Sequence, residues 1–208
     1  MVEVNLKDIG RRFTLHWIFR NIDQSFKANE HTVILGSNGS GKSTLLKIIS
    51  GVLTPTKGSV EYSINGKNVD VDSIYKHLSI CTPYLSIPEE FTLSELLKFH
   101  QKLKPLKSHF TGNQFAEYLQ IEYEKEKAIH LFSSGMKQRV KLALALLSTS
   151  PIVLLDEPLN NLDEAGKNWY RNLVDENKDN RLIVVCSNNT QEEYFFCSNQ
   201  INIGDFKT

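Results

Sequence analysis

The sequence predicts an α/β protein: a mainly parallel sheet covered on both faces, a small antiparallel β subdomain and an inserted helical subdomain. Three observations carry this. Short apolar runs at His31–Leu35, Ile152–Leu155, Leu182–Val185 and Gln200–Ile203 alternate with helical stretches, as strands buried on both faces do. Ser59–Ile64 leads into Asn65-Gly66, a hairpin turn. Residues 92–148 read as helix-rich instead. Thr92 and Glu95 form a capping box at the start of that region, and Pro105 interrupts it.

In chain order, Val2–Leu6 alternates and reads as an edge strand. His31–Leu35 runs into a Gly/Ser loop, and Lys42–Ser50 follows as a helix closed by Gly51. Leu78–Cys81 is a further short strand, and a helix is expected from about Glu164 to Lys178. A single domain over 1–208 is expected. Its core and β subdomain take 1–84 and 149–208, and the helical subdomain takes 85–148.

The chain has 208 residues, enough for one large domain, and 24 basic side chains balance 24 acidic ones. That balance gives no footprint for nucleic acid or a membrane surface. Cys81, Cys186 and Cys197 have no metal-ligand spacing, and two sit in apolar runs, which suits a reducing compartment. Charge at Glu3, Lys7 and Asp8 argues against a signal peptide, and no apolar run could span a bilayer. Direct membrane insertion is therefore not expected.

Gly36-Ser37-Asn38-Gly39-Ser40-Gly41-Lys42-Ser43 is a complete P-loop pattern between a strand and a helix, with Thr44 beside it. Glycines let the backbone wrap phosphate oxygens, successive N–H groups form an anion nest, and the helix start adds positive potential. Lys42 is placed for the β- and γ-phosphates and Ser43 for Mg²⁺. Ile152–Leu155 is a buried strand ending in Asp156 and Glu157. Asp156 is placed to hold the Mg²⁺ water shell, and Glu157 to polarise an attacking water. The expected ligands are ATP and Mg²⁺.

Over nearly its whole length the chain resembles the ATP-binding cassette (ABC) family. Phe132-Ser-Ser-Gly-Met-Lys-Gln-Arg139 resembles that family's LSGGQ signature, and Pro158–Asp163 resembles its D-loop. The resemblance implies that Ser133, Ser134, Gly135 and Met136 form a second phosphate site that closes on ATP held by a partner subunit, with Asp163 nearby. It therefore implies a head-to-tail dimer, expected to be a homodimer, sandwiching two ATPs. Phe13 lies where the family stacks an aromatic on adenine, with Trp17 as a second candidate.

Two family positions are substituted. Tyr84, or a neighbour, falls where the family has its Q-loop Gln. Asn188 falls where it has its switch His, with a shift of one residue as the alternative. Asn donates a hydrogen bond but cannot exchange a proton near neutral pH, so slow or partner-dependent hydrolysis is expected. The resemblance implies a transport ATPase at the cytoplasmic face of the inner or plasma membrane, held there by a separate integral membrane permease. The chain's end at Thr208 leaves no room for a C-terminal regulatory domain, which tilts the expectation towards export. A non-transport regulatory cassette is the alternative.

Overall fold

A computed structural model describes residues 2–121 and 126–207. Residues 122–125, within the stretch expected to be helix-rich, lie outside the described residues. The chain divides into two compact units: 1–80, 151–157 and 178–208 form the first, and 81–150 and 158–177 the second.

The first unit holds two sheets. Strands β1 (Val2–Phe13), β2 (His16–Lys27), β4 (Lys57–Ile64) and β5 (Lys67–Val69) form an antiparallel sheet in the order β2-β1-β4-β5. Strands β3 (Thr32–Leu35), β6 (Leu78–Cys81), β7 (Ile152–Asp156), β8 (Leu182–Ser187) and β9 (Asn199–Asn202) form the other, in the order β6-β7-β8-β3-β9. The β7–β8, β8–β3 and β3–β9 pairings are parallel. Every residue of β3, β7 and β8 is buried, which is why each reads as an unbroken apolar run.

Val2–Leu6 is not an edge strand. It opens β1, which lies between β2 and β4. The register shifts between Leu6 and Ile9, and Asp8 takes a positive φ of 52° there. This bulge breaks the alternation of Val2, Val4 and Leu6, so period-two reading loses the strand's second half. Similar shifts place the buried residues of β2 at Phe19, Ile22 and Phe26, steps of three and four that imitate a helical face instead of a strand's alternation.

Helix α1 (Lys42–Ile49) contributes Leu45, Leu46, Ile48 and Ile49 to one cluster with Ile9, Phe26, Ile34, Leu154 and Val184. Each such side chain contributes about 1.5–3 kcal/mol on burial. The loop at the head of α1 is thereby fixed to the ends of β3 and β7.

The second unit is helical. Both α2 (Leu93–Leu103) and α3 (Gly112–Tyr118) start in capping boxes, Thr92 with Glu95 and Thr111 with Gln114. Helix α4 (Ser134–Leu146) packs on α5 (Glu164–Asn177). The place of α5 in the sequence, within 149–208, points to the core, but contacts group it here. Its Trp169 donates from Nε1 to the Tyr118 carbonyl at 2.8 Å, and the Tyr118 hydroxyl donates to Glu176 at 2.8 Å.

Candidate functional site

In the first unit, β3 runs straight into Gly36, and the loop turns at Gly39 and Gly41, whose φ values are +74° and +109°. Gly41 is the N-cap of α1 and supplies no side-chain cap, so no side chain competes for the first-turn amides. The Lys42 ammonium donates to the Gly36 carbonyl at 2.8 Å and the Ser37 carbonyl at 3.2 Å. Lys42 is only 4% exposed, so a cation is fixed inside a glycine-rich loop.

The Ser43 hydroxyl donates to the Asp156 carboxylate, joining the start of α1 to the end of β7. Burial pushes the Asp156 carboxyl above the usual range and Glu157 adds to this, while Ser43, Lys42 and Lys47 oppose them. Glu157 is half-buried, and its φ of 46° turns the chain sharply after β7. Its N–H donates to the Cys186 carbonyl of β8 at 3.0 Å. A hydroxyl and a carboxylate in contact, with a second carboxylate adjoining and an ammonium in the loop, make a donor set that fits a Mg²⁺–triphosphate. Lys42 would hold phosphate oxygens, and Ser43 and Asp156 the cation.

Asn188 follows β8, is exposed, and makes no side-chain hydrogen bond among the described residues. Phe13 is half-exposed with the Arg11 guanidinium 4.7 Å over its ring. Trp17 is less exposed and flanked by Arg20 and Arg12 at 5.0 and 5.6 Å.

In the second unit, Ser133 caps α4 by accepting from the Met136 N–H at 3.2 Å, while Ser134 is exposed. A Cβ on Gly135 would stand 2.8 Å from the Asn161 carbonyl, so that chain passes too close for a larger residue. Ser133, Ser134, Gly135, Met136, Arg139 and Asp163 line a cavity of about 430 Å³ with their neighbours. Asp163 accepts from the Gly166 N–H at 2.8 Å and from Arg139 at 3.4 Å, and these contacts hold its carboxyl below the usual range. Tyr84 is 84% exposed.

Two residues here were not singled out from sequence. Gln138 is buried and donates to the Pro158 carbonyl at 2.9 Å. Arg139 also donates to the Leu119 carbonyl at 3.1 Å and to Gln120 at 3.0 Å. Lys137, Arg139 and Lys141 surround Gln138, so the sequence carries no local signal that this amide is buried.

A family model described as "ABC transporter" matches residues 19–160. The ABC transporter ATP-binding protein YybJ of Bacillus subtilis, itself uncharacterised, is 29% identical over 95% of this chain and 89% of its own length. The ABC transporter ced-7 of Caenorhabditis elegans is 32% identical over 77% of this chain. The chain spans about a tenth of ced-7 and of the mouse ATP-binding cassette sub-family A member 17. Among solved structures, a Pyrococcus furiosus chain described as an ABC transporter ATP-binding protein superposes with a TM-score of 0.81. It is 25% identical, with 99% of this chain and 100% of that one covered. The dimeric bacterial ABC transporter cassette MJ0796 shares the fold, with a TM-score of 0.75 at 22% identity over 97% of this chain and 95% of that one.

Proposed function

Since the chain belongs to the ABC transporter family, we propose that it binds and hydrolyses ATP to drive transport through a separate integral membrane subunit. The observation that carries this is the Lys42 ammonium inside the Gly36–Ser43 loop, with Ser43 on the Asp156 carboxylate. No helix among the described residues is long and apolar enough to cross a membrane, so on this reading the partner supplies the path.

The roles follow from chemistry. The amides of residues 36–44 and Lys42 grip the triphosphate, and Phe13 stacks on the base. Mg²⁺ held by Ser43 and Asp156 would supply positive charge against the triphosphate. Ser43 and Asp156 fix where the cation sits, and Glu157 accepts a proton from the attacking water. Asn188 donates to the γ-phosphate. Ser133–Met136, capped at the head of α4, receive a second subunit's nucleotide as the dimer closes, with Asp163 beside them. The chain works at the cytoplasmic membrane face.

An integral membrane protein is expected to co-purify when the chain is isolated from membranes. Recovery with ribosomes or DNA instead would overturn the transport reading. Because an amide cannot take up a proton, Asn188→His is expected to raise basal phosphate release, by up to about a hundredfold, the low end of what a positioned proton-transfer group contributes. Brisk wild-type turnover, unchanged in that variant, would remove Asn188 from the γ-phosphate.

A further inference from the structure

The turn that displays Asn188 is held by side chains from the segment just after it. Ser187, the last residue of β8, is fully buried, and its hydroxyl accepts from the Thr190 N–H at 3.1 Å. The same hydroxyl donates to the carboxylate of Glu193 at close range. Glu193 is 5% exposed, so this carboxylate lies under the turn, out of solvent. The Tyr194 hydroxyl donates to the Asn189 side-chain oxygen at 3.2 Å, and Asn189 adopts the left-handed conformation with φ of 68°. One strand residue earlier, Cys186 accepts from the Glu157 N–H. The turn is thus tied to the carboxylate end of β7 on one side and to Glu193 and Tyr194 on the other.

Of the two asparagines, Asn189 is occupied as a turn residue and Asn188 is not. An exposed carboxamide with no hydrogen-bond partner among the described residues is aimed by the backbone that carries it. We propose that Glu193 and Tyr194 are positioning residues for hydrolysis, acting through the turn 187–190 to set where Asn188 is presented. This rests on the reading of Asn188 as the group that meets the γ-phosphate. A buried carboxylate suits the task because a hydrogen bond to a charged acceptor is stronger than a neutral one. It fixes the Ser187 rotamer, and with it the Thr190 N–H bond that closes the turn.

The alternative is that Glu193 serves only to fold this corner. The two are separated by a double-mutant cycle on steady-state phosphate release, with ATP affinity measured by equilibrium dialysis and folding by thermal melting. Glu193→Ala is expected to lower kcat about tenfold, the scale of one lost charge-assisted hydrogen bond, and Tyr194→Phe about threefold. ATP affinity should stay within about twofold in both, because Lys42 is held by the Gly36 and Ser37 carbonyls of its own loop and not by Glu193 or Tyr194. Glu193→Gln, which keeps an acceptor for Ser187, should recover most of the rate. The deciding result is non-additivity: Asn188→Ala combined with Glu193→Ala should be no slower than Asn188→Ala alone. Additive losses, or a kcat loss matched by weaker ATP binding, would overturn the proposal. If Glu193→Ala does not fold, Tyr194→Phe takes its place in the same cycle. An Asn188→Ala variant with wild-type kcat beside a slow Glu193→Ala would sink the reading of Asn188, and a wild type that does not bind MgATP would sink the proposed function itself.

Discussion

Glu157→Gln is expected to bind MgATP and to lose turnover by two to four orders of magnitude, the range a positioned general base contributes. The substitution keeps shape and removes one charge. The phosphate grip is built from other parts: the Lys42 ammonium and the amides at the head of α1. Affinity should therefore hold. With ATP bound and not cleaved, the closed state should accumulate. Size exclusion in saturating MgATP should then show a dimer that reverts to monomer when nucleotide is removed. A variant that stays monomeric under those conditions would refute the sandwich for this chain, whatever its turnover. One that hydrolyses ATP at the wild-type rate would remove Glu157 from the chemistry.

The parts of this site that could be read from sequence share one property: their chemistry is contiguous. The loop 36–44 and the pair Asp156 and Glu157 each lie within a few residues, after a strand whose full burial writes an unbroken apolar run. The capping box of α2 is equally local and appears as expected. What was missed depends on contacts between distant positions or on broken periods. The hairpin β1–β2 was seen only in its first five residues, because bulges near Asp8 and along β2 shift the inward face. Grouping α5 with the helical unit needed Tyr118, 51 residues before Trp169 in sequence. The brace under Asn188 was invisible for a subtler reason. Glu192 and Glu193 are adjacent, and nothing local says that the second goes under the turn to Ser187.

Gly41→Ala is expected to damage both fold and function, and its contrast with Gly39 separates packing from conformation. Both glycines have positive φ, +109° and +74°. At Gly41 an added Cβ would stand 2.5 Å from Ile18 Cγ2 and 3.2 Å from Phe19 Cδ1. Phe19 is part of the buried cluster shared by the two sheets and α1, so it cannot move aside cheaply. Backbone strain of about 1–3 kcal/mol adds to an overpacking cost of similar size. A net loss of about 3 kcal/mol would lower Tm by about 6–12 °C for a chain of this length. Lys42 adjoins Gly41, and its ammonium reaches back to Gly36, so relaxing the clash must shift the phosphate grip as well. ATP affinity should fall at least about tenfold, which takes only about 1.4 kcal/mol. At Gly39 nothing lies within 4 Å of the added Cβ. Asn visits the left-handed region readily, so Gly39→Asn should melt within about 3 °C of wild type, a change below 1 kcal/mol. Differential scanning calorimetry of the two variants decides it. Equal melting temperatures would mean that the loop is not pinned through Ile18 and Phe19, and that the antiparallel sheet does not set the geometry of the phosphate site.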